Sequence, residues 1–171
     1  MRLPATLVAL FCLMGLAPVA RAQSDVRDSV ARVSRAQLGA RYRLGAALPG
    51  RRFDCSGLVQ YVMSVVNVFI PRTAAEQARL GVAVPRDTAQ LLPGDILTFG
   101  RGKRITHVGI YVGEGRYVHA SSRKRTVVEV PLPEPGTRQG RLWKGARRVL
   151  PTSETTDTLT TAAAPDPSST S

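Results

Sequence analysis

The spacing of the apolar residues changes once along this chain, and that change narrows the fold more than any single motif. Val26, Val30, Val33 and Leu38 recur at helical spacing among alternating charges, with Ser24 as the expected N-cap. Leu58, Val59, Val62, Met63, Val65 and Val66 repeat the pattern, and Pro71-Arg72-Thr73 opens a shorter helix reaching Leu80. Beyond Asp87 the spacing becomes extended. Strands are expected at 96–99, 106–112, 116–120, 126–130 and 146–150. Helices first and strands after predict an α+β fold, with N-terminal helices packed on an antiparallel sheet of about five strands. No internal repeat is visible.

The ends read differently from this core. Arg2, the uncharged run Leu7 to Leu16 and the small-x-small site Ala20-Arg21-Ala22 have the form of an export signal over 1–22, cleaved before Gln23. The apolar stretch from Leu3 to Ala20 just reaches the roughly 18 residues of a marginal membrane span, but the cleavage site favours removal over anchoring. The expected location is therefore the periplasm or the exterior, with no stable span after cleavage. Residues 151–171 are rich in Thr, Ser, Pro and Asp without an apolar period, and are expected to be a flexible tail. The expected domain is 23–150.

Of the two cysteines, Cys12 falls in the discarded segment, so Cys55 is the lone thiol of the exported protein. It cannot form an internal disulfide and is either buried and inert or reactive. Asp54 is placed to cap the helix that Cys55 begins, with Phe53 before the cap and Leu58 inside it as a hydrophobic staple. Free amides and the positive end of the helix dipole at that position favour a thiolate, the form that attacks a carbonyl.

The two histidines, His107 and His119, flank Gly113-Glu114-Gly115. A three-residue hairpin loop with Gly115 left-handed pairs Val112 with Arg116 and puts Gly109 opposite His119. His107 then shares a face with His119 at a diagonal of roughly 7–8 Å, with Gly109 leaving room for an imidazole. Val108, Ile110, Val112 and Val118 take the core face. A two-residue turn would instead put the histidines on opposite faces, and the alternation of apolar residues favours the three-residue loop. The result is a Cys–His–His set, in which Cys55 attacks, His107 takes and returns the proton, and His119 orients His107.

These residues resemble the NlpC-type bacterial cell-wall peptidases of the papain-like superfamily. The matching segments are Gly39-Ala-Arg-Tyr42-Arg-Leu-Gly45, Phe53-Asp-Cys-Ser-Gly-Leu58, Pro71-Arg-Thr73, Leu92-Pro-Gly-Asp95, His107-Val-Gly-Ile-Tyr-Val-Gly113, His119-Ala and Ala146-Arg-Arg-Val-Leu150. The resemblance implies a papain-like core and cleavage of peptidoglycan stem peptides, usually between γ-D-glutamate and diaminopimelate. It implies that Tyr42 sits beside the thiol and helps stabilise the attacked carbonyl. It also implies that Asp54 and Ser56 lie near the stem-peptide end, and that Arg72 belongs to the pocket wall. Leu44, Ala46 and Arg51-Arg52 depart from the family pattern without removing a catalytic position.

Setting aside Arg2, Arg21 and the tail's Glu154, Asp157 and Asp166 leaves 22 basic against 9 acidic residues in the core. Few aromatics interleave them and export separates the chain from nucleic acid, so an anionic envelope polymer is the better partner for this charge. Gly113-Glu114-Gly115 and Gly100-Arg101-Gly102 lack the context of a phosphate loop, and neither metal nor cofactor is implied. Two other functions remain open at this point: an amidase or acyltransferase using the same Cys–His pair, and a peptidoglycan-binding protein without turnover.

Overall fold

Helix α1 runs over Ala17–Arg35, α2 over Cys55–Val65, α3 over Ala74–Gln77 and α4 over Arg138–Leu142. The structure is a computed structural model that describes residues 17–134 and 136–152. Most of the expected signal segment and nearly all of the expected tail lie outside the described residues. By packing, Val26–Leu150 form one unit, and the architecture below is that unit's.

Nine strands make one sheet. They are β1 (Arg41–Tyr42), β2 (Ala47–Leu48), β3 (Arg52–Phe53), β4 (Val82–Val84), β5 (Ile96–Arg101), β6 (Arg104–Gly113), β7 (Arg116–Ser121), β8 (Thr126–Pro131) and β9 (Trp143–Arg148). Their order is β2-β3-β1-β8-β7-β6-β5-β9-β4, with β1 and β3 parallel and the other pairs antiparallel. The expected antiparallel sheet of about five strands is thus its centre, flanked by four short strands. Two or three residues are too few to show an alternating period, so β1 to β4 carry no strand signal of their own.

Other boundaries also differ from expectation. Helix α1 begins at Ala17, so Ser24 lies inside it and not at its cap. Helix α3 is held to Ala74–Gln77, where Thr73 and Glu76 form a reciprocal capping box. The last strand starts at Trp143 and ends at Arg148, because β5 pairs with it from Phe99↔Trp143 to Ile96↔Arg147.

One face of the central strands packs on α1 and α2. Val30, Phe53, Leu58, Val59, Val62, Met63, Ile96, Val108, Ile110 and Val118 meet there, all fully buried. A second cluster contains Leu97, Phe99, Tyr111, Tyr117, Trp143 and Ala146. Alternation along β6 and β7 divides their side chains between the two clusters.

Two buried carboxylates fasten turns to this frame. Asp95 accepts two hydrogen bonds from the Arg148 guanidinium, at 2.8 and 2.7 Å, and one from the Leu92 N–H. Asp54 is clamped in the same way by Arg72 beside the start of α2.

Candidate active site

Helix α2 brings Cys55 to the sheet. Asp54 caps it, accepting from the Gly57 N–H at 2.7 Å, while Phe53 and Leu58 are buried in one cluster as a staple requires. The other Asp54 oxygen accepts from the Gly45 N–H at 2.7 Å, so one carboxylate ties the 43–46 loop to the helix start. Gly57 permits the contact: a Cβ there would lie 2.3 Å from the Ala46 carbonyl oxygen. Arg72 completes the knot with bonds to both Asp54 oxygens, at 2.9 and 2.7 Å, and to the Ser56 hydroxyl at 3.0 Å. Burial opposes the Asp54 charge, but Arg72 and the two amides outweigh it and hold its pKa below the ordinary carboxylate value.

The β6–β7 hairpin brings the histidines together by a route slightly different from the expected one. Gly113, not Val112, pairs with Arg116, and the turn is the two-residue pair Glu114-Gly115. Both have positive φ, 53° and 67°, as a type I′ turn requires. A bulge between Tyr111 and Gly113 then adds the missing residue, so Tyr111↔Tyr117 and Ile110↔Val118 keep the register a three-residue loop would have set. The histidines therefore share a face. His107 Nε2 lies 2.8 Å from His119 Nδ1, with the rings edge to face. A Cβ on Gly109 would come within 3.2 Å of the His119 Cβ and 2.8 Å of the Tyr117 ring.

Cys55, His107, His119 and Tyr42 line one cleft of ≈ 1170 Å³. Cys55 is half-buried, and the N–H of Val108, the residue after His107, favours charge on its sulfur. Burial pushes the thiol pKa up, and the Asp54 charge adds to this. The N–H groups of Val108, Ser56 and Cys55 itself pull it down without prevailing. The thiolate expected from the helix start is thus not the form this setting favours. Burial also lowers His107 to about 4, and with help from His107 and Lys124 it lowers His119 to about 3. The resting site is a thiol beside neutral imidazoles. His119 engages Nε2 of His107, which leaves Nδ1 as its other ring nitrogen; the tautomer protonated on Nε2 makes His107 the donor and neutral His119 the acceptor. The Tyr42 hydroxyl, its pKa raised by burial and then by the Cys55 and Asp54 charges, remains a proton donor.

A cysteine and two histidines in chain order Cys–His–His stand in one cleft, on a sheet behind a capped helix. The sequence pattern of the NlpC/P60 family matches residues 39–145, more than half of the chain. The chain belongs to the NlpC/P60 family. Murein DD-endopeptidase MepH of Escherichia coli K12 is 39% identical over 118 residues, covering 67% of this chain and 42% of that protein. The γ-D-glutamyl-L-lysine dipeptidyl-peptidase of Bacillus cereus is 34% identical over 139 residues, covering 77% of this chain and 40% of its own length. The chain thus spans about two fifths of the length of these relatives. Among solved structures, an NlpC/P60 family protein from Bacillus cereus superposes with a TM-score of 0.65 at 34% identity, covering 73% of this chain and 40% of that one. The peptidoglycan hydrolase RipB of Mycobacterium tuberculosis gives 0.63 at 27% identity, covering 81% and 72%.

In this NlpC/P60 domain Asp54, Ser56 and Arg72 bind one another and do not line the cleft. Arg72 is held by a bidentate ion pair with Asp54. Three ring contacts were not read from the sequence. Tyr117 stacks on His119 with ring centroids 5.1 Å apart, and Phe99 lies 5.9 Å from His107 and 5.5 Å from Tyr117. These rings back the imidazoles. Tyr117 precedes His119 by two residues, so the period of a strand puts it on the same face. Among the described residues no three His, Cys, Asp or Glu gather as a metal-binding group, and no helix is long and apolar enough to cross a membrane.

Proposed function

We propose that this domain is a cysteine endopeptidase that hydrolyses peptidoglycan stem peptides, with the γ-D-glutamyl–diaminopimelate bond as its target. The observation that carries the reading is the convergence of Cys55, His107 and His119 in one cleft. The activities for which its relatives are named support the substrate class. One is a murein DD-endopeptidase, another a γ-D-glutamyl-L-lysine dipeptidyl-peptidase, and a third a bifunctional muramidase/DL-endopeptidase.

In this mechanism the Cys55 proton passes to His107 Nδ1 as the sulfur attacks the carbonyl carbon. The backbone N–H groups at the start of α2 and the Tyr42 hydroxyl donate to the oxygen as it gains charge. The His107 imidazolium, still donating to His119, gives its proton to the leaving amine, and the C–N bond breaks. Water then loses a proton to His107 and attacks the thioester, releasing the carboxylic acid half and restoring the thiol. Asp54, Ser56 and Arg72 hold the helix start and the 43–46 loop in register beside Cys55. Export over 1–22, a domain of 23–150 and attraction of the basic core to anionic envelope polymers belong to the same reading.

The test is incubation of the purified protein with defined muropeptides beside Cys55→Ala, with products read by mass spectrometry. An L-Ala-γ-D-Glu fragment released by wild type only is the expected result. Opening of D-alanyl cross-links instead would move the cleaved bond. Equal products from Cys55→Ala would end the mechanism.

A further inference from the structure

The cleft that holds the thiol is strongly basic beyond the histidines. Arg101, Arg104, Arg123 and Lys124 line it, against Glu134 as the acidic residue of the same lining. Two tight turns collect these cations. Gly102-Lys103 joins β5 to β6 and sets Arg101 directly opposite Arg104. The turn from Ser121 to Thr126 joins β7 to β8 and holds the Lys124 N–H on the Ser121 hydroxyl at 3.1 Å. Like charges facing one another across two strands destabilise a sheet.

Acidic residues do not relieve this. The ion pairs among the described residues are Arg35–Glu129, Arg116–Glu129, Arg72–Asp54 and Arg148–Asp95, and none reaches the four cations. All four are exposed. Positive charge concentrated in a cleft focuses field on an anionic ligand far better than the same charge on an open surface.

Position identifies which half of a substrate they meet. The imidazole that protonates a departing amine lies on the leaving-group side of the nucleophile. Lys124 is near enough to His119 to lower its proton affinity. The cations therefore continue the leaving-group side outward from Cys55 through His107 and His119. Asp54, Ser56 and Arg72 are absent from that lining.

We propose that Arg101, Arg104, Arg123 and Lys124 form an anion subsite that binds the free carboxylates of the peptide released as the amine product. The inference rests on the endopeptidase reading for the direction of the substrate and adds a requirement: the leaving half carries carboxylates left unamidated. A carboxylate seated there also offsets the positive field that opposes charging of the imidazole pair, so the subsite assists the proton transfer as well as binding.

Two measurements separate this from the endopeptidase reading. The first is the ratio of kcat/KM for L-Ala-γ-D-Glu-diaminopimelate-D-Ala with free carboxylates to that for the same peptide amidated on its leaving half. A preference of about 10- to 100-fold for the free acid is expected in wild type, the size of a charge-assisted hydrogen bond or two. The preference falls towards one in the variant Arg101→Gln/Arg104→Gln/Arg123→Gln/Lys124→Gln, whose folding is checked by its circular dichroism melt. Equal rates in wild type, or a preference kept by the variant, would overturn the subsite. The second is calorimetric binding of the released half, diaminopimelyl-D-Ala, to Cys55→Ala and to Cys55→Ala with the four substitutions. Binding lost with the charges supports the subsite even where wild type cleaves neither peptide, a result that removes the endopeptidase reading alone. No saturable peptide binding, with charge-dependent binding of teichoic acid instead, would make the rim a polymer-docking surface and overturn the proposal.

Discussion

Asp54 and Asp95 are solved alike by the fold and used differently. Each carboxylate takes two hydrogen bonds from one arginine and others from backbone N–H groups that fix a turn. The Asp95 side chain is wholly buried and its Arg148 is 19% exposed, whereas Asp54 is 7% and Arg72 37% exposed. Arg148 belongs to β9 and also reaches the Gln90 carbonyl at 2.6 Å, so its pair closes the frame. Arg72 precedes a short helix and also holds Ser56, next to Cys55. The same ion pair is therefore an anchor of the frame in one place and, on the proposed function, a support for chemistry in the other, and only its neighbours tell which.

The largest expected effect tests the anchor. Asp95→Ala leaves Arg148 with its charge in a mostly buried setting, and breaking such a pair costs about 3–5 kcal/mol. Urea unfolding reads the loss. At temperatures where the variant stays folded, kcat should match wild type. A stable variant with a dead site would reverse the contrast.

Asp54→Ala should do the opposite. Arg72 is exposed enough to turn towards water, and the cap itself is worth about 1 kcal/mol, so the stability loss is the smaller of the two. Turnover should fall at least tenfold, because the Gly45 and Gly57 amides that order the loop and the first turn behind Cys55 lose their acceptor. A variant as unstable as Asp95→Ala with full kcat would make both pairs mere anchors.

The pairs also show what was legible in the sequence. The cap, the staple and the place of Cys55 at the helix start followed from local spacing around Phe53-Asp54-Cys55, because a helix start is a local event. The shared face of the histidines followed from the period of two. The turn that makes it did not, since a type I′ turn with a bulge and a three-residue loop give one register. What stayed hidden depends on pairing across distance: Arg72 on Asp54 over 18 positions, Arg148 on Asp95 over 53, and Phe99 against His107 through strand order. The short strands β1 to β4 were hidden for the same reason. The short basic runs were visible, but only the two hairpin turns bring parts of them to one cleft. The thiol's raised pKa was missed because burial outweighs a helix start that the sequence displays alone.

Acid should separate the two regions next. His107 and His119 have folded pKa values of about 4 and about 3, below an unfolded value of about 6.5. The unfolded chain thus binds more protons as pH drops, and stability falls from about pH 6.5 towards 4. Asp54, depressed in the fold, contributes stability above the unfolded carboxylate pKa of about 3.9 and loses it only below that. Urea midpoints measured from pH 7 to 4 should decline in wild type and flatten in His107→Gln/His119→Gln. An equal decline in the double variant would place the acid sensitivity elsewhere.

The smallest effect concerns the ring behind the pair. Among the described residues no carboxylate bonds to His119, and the stack with Tyr117 stands in that place. Burial raises the Tyr117 pKa to about 12, so its hydroxyl stays protonated at neutral pH. Tyr117→Phe keeps the stack and should keep kcat. Tyr117→Leu removes it, and an aromatic pair is worth about 0.5–1.5 kcal/mol, which corresponds to a two- to tenfold loss in kcat with KM unchanged. The split between Phe and Leu is the useful reading. A role in core packing alone would lower the melting temperature of Tyr117→Leu and leave its kcat in place, whereas a ring that holds His119 at 2.8 Å from His107 must show itself in the chemical step.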